Sequence, residues 1–118
     1  MNQILIVEDE ERLAAFVQKG LKKNGFNTAV AANGEQAIAL TQSSTFDLIL
    51  LDLNIPIKDG LTVLKELRNN GQHLPIIVVT ALTDERDKKA AFKAGANDYI
   101  NKPFSFQDLL ARVRVQLS

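Results

Sequence analysis

At 118 residues and 46% hydrophobic content, the chain has the size of one domain and the apolar material for a single buried core, so no second domain fits within it. Its 14 basic and 14 acidic residues cancel, which removes any global pull toward nucleic acid or an anionic membrane and argues against a DNA-binding role for this segment. The lack of cysteine excludes disulfides and thiolate metal sites and fits a reducing compartment; no run approaches the ~20 apolar residues of a membrane span and Met1-Asn2-Gln3-Ile4 lacks the basic region of a secretory signal, so the protein reads as cytoplasmic.

In chain order, Ile4 to Val7 is a short β-branched apolar run that reads as a strand, followed by the acids Glu8-Asp9-Glu10-Glu11 beyond its carboxyl end. Leu13, Phe16, Val17 and Leu21 then repeat at helical spacing for burial, and Gly25 marks the helix end. Thr28 to Ala31 makes a weaker strand; Asn33-Gly34 reads as a turn, and Gln36 to Leu40 as a short helix offering Ala37, Ile38 and Leu40 to a core before Ser43-Ser44-Thr45 breaks it. Leu48 to Leu51 are apolar without alternation, as in a central parallel strand covered on both faces. That run ends on Asp52, and Pro56 cannot donate to a continuing ladder.

Lys58-Asp59-Gly60 opens a helix with Leu61, Leu64 and Leu67 spaced for burial and Asn70-Gly71 as its stop. Ile76 to Thr80 is a fourth strand, again with a polar residue at its carboxyl end. Asp84 caps a helix through Ala94 that presents Arg86, Lys88, Lys89 and Lys93 against a face of mostly alanine and Phe92, so this helix should be held weakly. Tyr99-Ile100 forms a short fifth strand ending at Lys102-Pro103, and Ser105 with Asp108 resembles a capping box before Phe106, Leu109, Leu110, Val113 and Leu117. A βα unit used five times predicts an α/β flavodoxin-like doubly wound fold, a five-stranded parallel sheet in the order 2-1-3-4-5.

In that order the carboxyl ends bring Glu8, Asp9, Asp52, Thr80 and Lys102 to one edge, where ligands bind in open α/β sheets. Three carboxylates this close repel, and the remedies are a raised pKa, a basic neighbour or a bound cation. Oxygen-only ligands favour a hard ion, and Mg²⁺, which keeps several waters beside one or two carboxylates, suits a site that must also admit a phosphoryl oxygen. Asp52 is then free to attack phosphorus and form an aspartyl phosphate, with the metal, Lys102 and the Thr80 hydroxyl neutralising charge on the equatorial oxygens. Each residue also has an ordinary reading: first-turn acids, a β-branched strand residue, a surface lysine, a core-edge aromatic at Tyr99. Their coincidence on one edge separates the two.

On Glu8-Asp9, Asp52 within Asp47 to Pro56, Asp59-Gly60, Thr80-Ala81 and Tyr99 with Lys102-Pro103, the whole chain resembles a receiver domain of a two-component response regulator. The resemblance implies Asp52 as phosphoacceptor, Asp9 as direct Mg²⁺ ligand with Glu8 supporting through water, the Asn54 backbone carbonyl as a further ligand, and Lys102 and Thr80 as holders of the phosphoryl group. It also implies Thr80 and Tyr99 as switch residues, with Tyr99 turning inward on phosphorylation, and a cis Lys102-Pro103 bond. The implied partner is a sensor histidine kinase, and the domain catalyses only its own phosphotransfer and dephosphorylation. A small aspartyl-phosphate hydrolase is the competing class, but such enzymes pair the nucleophile with a second acid two residues on, where this chain has Asn54.

Lys88, Asp98 and Arg112 match positions that form dimer salt bridges in receivers of OmpR-type winged-helix transcription factors, although Asn97 departs from the acid often found there. That resemblance implies a monomer that dimerises on activation through the fourth helix, fifth strand and fifth helix, with a transcriptional output reaching DNA only through a further domain. Leu117-Ser118 ends the last helix, so the chain is either a stand-alone receiver, acting in a phosphorelay or by protein contact, or a piece of something longer.

Overall fold

The computed structural model describes residues 2–118. Its elements alternate strictly: β1 (Gln3–Val7), α1 (Glu11–Lys23), β2 (Asn27–Ala31), α2 (Gly34–Ser43), β3 (Leu48–Leu51), α3 (Gly60–Asn69), β4 (Ile76–Thr80), α4 (Glu85–Lys93), β5 (Asp98–Asn101) and α5 (Phe106–Leu117). All strand pairs are parallel, in the order β2-β1-β3-β4-β5 predicted from the apolar runs.

The central strands are buried on both sides because their side chains feed two cores in alternation. Leu5, Val7, Ile49, Leu51, Ile76, Val78 and Tyr99 pack with Ala37, Val63, Leu64, Leu67 and Ala91 of α2, α3 and α4. Ile4, Ile6, Leu48, Leu50, Ile77, Val79 and Ile100 pack with Val17, Leu21, Leu109, Leu110 and Val113 of α1 and α5. Register is fixed by the same alternation: Leu5 lies opposite Ile49, and Ile49 opposite Ile76, so a one-residue slip would exchange the two cores.

Side-chain caps start four helices: Asn33 accepts from the Gln36 amide, Asp59 from Thr62, Asp84 from Arg86 and Ser105 from Asp108. The Ser105 capping box is only half built, because the Asp108 carboxylate accepts from Arg112 at 3.2 Å instead of reaching back. Helix α2 is longer than its apolar residues suggest. Asn33, expected in a turn, is its N-cap, and Ala37 and Thr41 are its buried side chains, with Ile38 and Leu40 half-buried. Phe16, expected in the core, is 54% exposed and meets Phe106 edge-on at 6.0 Å, since α1 needs only Ala14, Val17 and Leu21 to cover its side of the sheet. Helix α4 buries Ala91 alone, as its alanine face implied.

Candidate phosphoryl and metal site

The acidic edge is assembled by strand termini. Glu8 and Asp9 follow β1, Asp52 follows β3, Thr80 ends β4 and Lys102 follows β5, so five separated residues meet where adjacent strands stop. Glycine at position 60 permits the turn that places Asp52, since a Cβ there would stand 2.4 Å from the Asp52 carbonyl oxygen. On the opposite side of the β3–α3 loop, Ile57 takes φ 72° within a tight turn closed by the Lys58 amide donating to the Pro56 carbonyl at 2.8 Å. This left-handed conformation at a β-branched residue is strained, and nothing in the sequence pattern marked it.

Lys102 is the hub of the charges. Its Nζ donates to Glu8 Oε1 at 2.6 Å and to Asp52 Oδ2 at 2.9 Å, and all three side chains are largely buried. The remaining oxygens are partly used: Glu8 Oε2 accepts from the Glu10 amide at 3.1 Å, and Asp52 Oδ1 from the Asn54 amide at 3.0 Å. Asp9 is exposed, and it and the Asn54 carbonyl make no hydrogen bond among the described residues beyond ordinary helix and strand pairing, which leaves both oxygens available. Burial raises the Glu8 carboxyl above its ordinary value; the hydrogen bonds from Lys102 and Glu10 oppose this, and the charge of Asp52 adds to it. Burial also works against the Lys102 ammonium, yet its hydrogen bonds to Asp52 and Glu8 outweigh that and hold its pKa above the usual lysine value.

Three carboxylates and one ammonium leave two negative charges in excess on this edge, the deficit a divalent cation would fill. One oxygen from each of Glu8, Asp9 and Asp52 lies within 4.8 Å of the others. That spacing is close enough for a single hard cation to be shared among them directly or through water. These groups, with Asn54, Thr80, Ala81 and Leu82, line an open cleft of about 250 Å³. The residues present therefore fit a hard divalent ion with room for water and a phosphoryl group.

Behind the cleft, Leu82 ties together the residues read as a switch. Its amide donates to Thr80 Oγ1 at 3.2 Å, while its carbonyl accepts from the Tyr99 hydroxyl at 2.8 Å and from Asn101 Nδ2 at 2.7 Å. Tyr99 is 7% exposed, with its ring packed inward. Its ring is held by that hydrogen bond and by Phe92, 6.4 Å away. Sequence reasoning missed Asn101 and Leu82, because backbone groups and a short polar residue leave no periodic signal.

The three residues read as a dimer surface are not equally free. Lys88 is exposed, whereas Arg112 Nη1 donates to Asp98 Oδ1 at 2.8 Å and its Nε to Asp108 within the same chain. Asn97, at the departing position, accepts through Oδ1 from the Ile76 amide at 2.9 Å and from Arg68 at 3.0 Å, both within the chain. The Lys102–Pro103 peptide is cis. No described helix is long and apolar enough to cross a membrane.

The chain matches the response regulator receiver domain over residues 4–114. The transcriptional regulatory protein CpxR of Klebsiella pneumoniae is 44% identical over 117 residues, which are 99% of this chain and 50% of CpxR. The chain spans about half the length of the curated relatives it matches. The BeF3-activated N-terminal receiver domain of RstA from Klebsiella pneumoniae superposes with a TM-score of 0.93 at 34% identity, covering 98% of both chains. The receiver domain of a sensor histidine kinase from Pseudomonas aeruginosa, whose structure holds a magnesium ion in the active-site cleft, does so with a TM-score of 0.89 at 31% identity, over 98% of this chain and 97% of that one. With its parallel sheet, its acid cluster at the strand ends and this match across nearly its full length, the chain belongs to the response regulator receiver domains of two-component signalling.

Proposed function

We propose that this domain is a phosphorylation-dependent switch in which Asp52 takes a phosphoryl group from the phosphohistidine of a sensor kinase. The observation that carries the reading is Asp52 itself: a buried carboxylate at the mouth of an open cleft, with one oxygen held by Lys102 at 2.9 Å and two further acids beside it. An Asp52 oxygen attacks phosphorus as the P–N bond to the kinase imidazole breaks, and the imidazole leaves with the bond's electron pair. Asp9, Asp52 and the Asn54 carbonyl would hold Mg²⁺, with Glu8 supporting through water. The ion's chemistry when bound is charge neutralisation on the transferring oxygens.

Lys102 is already poised at Asp52 and follows the new phosphoryl oxygens, giving up part of its hold on Glu8. Thr80 donates its hydroxyl hydrogen to the same oxygens while its Oγ1 can still accept from the Leu82 amide, so movement of Oγ1 toward the phosphoryl group draws Leu82 with it. Because Leu82 also anchors Tyr99 and Asn101, that pull shifts the β4–α4 loop, and α4 follows easily with only Ala91 buried. A charge-assisted hydrogen bond contributes roughly 1.5–3 kcal/mol, whereas reversing a population from 1:99 to 99:1 needs about 5.5 kcal/mol, so Thr80 and Lys102 act together.

The output we infer is transcriptional, through a DNA-binding domain outside this chain and a homodimer formed on activation by Lys88, Asp98 and Arg112, in the cytoplasm. CpxR's designation as a transcriptional regulatory protein supports this. Labelling with acetyl phosphate, with and without Mg²⁺, tests the site: wild type is modified only with the metal, and Asp9→Asn loses the modification while keeping its circular dichroism. Metal-independent labelling of both proteins would overturn the reading.

A further inference from the structure

The α3–α4 face carries a second charged feature that the phosphoryl site does not use. Lys65, Arg68 and Asn69 of α3 face Ala90, Lys93 and Ala94 of α4 across a groove of about 510 Å³. The two alanines, one helical turn apart, keep the α4 wall short. Among the described residues none of the three cations lies within salt-bridge distance of a carboxylate. Arg68 spends its donors on neutral acceptors: the carbonyls of Gly95, Gln72 and Leu74 and the side-chain oxygen of Asn97. Its charge is fixed beside the groove with no carboxylate partner. Gly95, at φ 113°, makes room for it, since a Cβ there would stand 2.8 Å from Arg68 Nε.

The nearby acids point elsewhere. Glu66 is paired with Lys58 at 2.6 Å and Asp84 with Arg86 at 3.1 Å. In a chain of zero net charge, the groove thus gathers three cations with no carboxylate paired to them, a locally positive field.

We propose that this groove binds a small anion bearing a pyrophosphate group, free or as a nucleoside diphosphate, with Lys65 and Lys93 on opposite walls and Arg68 supplying fixed charge between them. Two linked phosphates suit cations on facing walls better than one, and the groove's size lies in the range of small-ligand sites. Such an anion ties α4 to α3, which own little shared core, and so acts on the element that moves in the switch.

The test is amide NMR of the whole chain in EDTA, which keeps metal-dependent binding at Asp52 out of the measurement, titrated with inorganic pyrophosphate and separately with ADP. Saturable shifts should centre on Lys65, Asn69, Ala90 and Lys93. Affinity should weaken about two- to five-fold in Lys65→Gln or Lys93→Gln and by roughly tenfold in the double variant. It should also fall as salt is raised, and be unchanged in Asp52→Ala, so that its failure is separable from failure of the phosphoacceptor assignment. Saturation by either probe supports the site, and the tighter one identifies the source. Non-saturating shifts, shifts centred on Glu8, Asp52 and Lys102, or equal binding by Lys65→Glu/Lys93→Glu would overturn it.

Discussion

Replacing Lys102 by methionine keeps the length of the side chain and removes the ammonium that bridges Glu8 and Asp52 at 2.6 and 2.9 Å. At an effective dielectric of about 20 each contact is a gross attraction of roughly 6 kcal/mol, most of which offsets the desolvation of the charges involved. What remains in the variant is two adjacent, largely buried carboxylates without a partner. Breaking a buried pair typically costs 3–5 kcal/mol, and the open cleft lowers this to about 2–4 kcal/mol at pH 7 in metal-free buffer.

The loss has a direction in pH. Without Lys102 the Glu8 carboxyl, already raised by burial, rises further, so the native state binds more protons than the unfolded chain near neutrality. Stability then increases as pH falls from 7 to 5, by at most about 1.4 kcal/mol per pH unit per proton. Wild type shares this trend only weakly through Glu8. Its own Lys102 contribution is fully present below the ordinary lysine pKa and is lost only as pH rises through the higher native value. Mg²⁺ should restore part of the variant's stability, by about 2.7 kcal/mol at a hundredfold excess over its dissociation constant. Urea unfolding at pH 5 and 7, with and without the metal, reads all three effects. A loss below about 1 kcal/mol that is indifferent to pH would mean that Lys102 is an ordinary surface cation.

Other consequences are smaller or sharper. Asp59→Ala removes the cap of α3 and should cost about 0.5–2 kcal/mol at pH 7. Hydrogen bonding to Thr62 holds the Asp59 carboxyl below its usual value, so its charge-dependent contribution is present above the unfolded pKa and disappears as pH falls through the native one; acid urea titrations should show the two proteins converging. Gly60→Ala should cost at least 1–3 kcal/mol in chemical unfolding and impair labelling of Asp52, because the added Cβ meets the backbone that positions it. Arg112→Ala should change monomer stability by no more than about 1 kcal/mol, since its pairs with Asp98 and Asp108 are partly exposed, yet abolish the dimer seen by light scattering with beryllofluoride and Mg²⁺. A dimer indifferent to activation and to this substitution would refute the interface.

Most of the fold and the acidic edge could be read from the chain because they rest on one regularity: apolar runs too continuous for a half-exposed sheet, each ending in a charged or hydroxyl residue. Runs such as Leu48 to Leu51 and Ile76 to Val79 needed helices on both faces, and that requirement put Asp52 and Thr80 side by side. What escaped depended on contacts rather than period. Phe16 repeats at helical spacing, but α1 crosses the sheet so that Val17 and Leu21 fill the space and Phe16 lies outside against Phe106. Arg68 looks like a last-turn cation of α3, and only the folded chain brings the carbonyls of Gly95, Gln72 and Leu74 to it. The joining of Thr80 to Tyr99 runs through the main chain of Leu82, whose side chain says nothing about it. Asp98 and Arg112 carried a dimer pattern, and only the folded chain shows them paired with each other.

The central claim is that Asp52 is the group that becomes phosphorylated, and the most direct measurement is peptide mass spectrometry after acetyl phosphate treatment with Mg²⁺, comparing wild type with Asp52→Ala. The account predicts a single added phosphoryl group on the peptide containing Asp52, lost in the variant and absent from wild type in EDTA. An equal degree of modification in Asp52→Ala, or modification mapped to another residue in wild type, would contradict it.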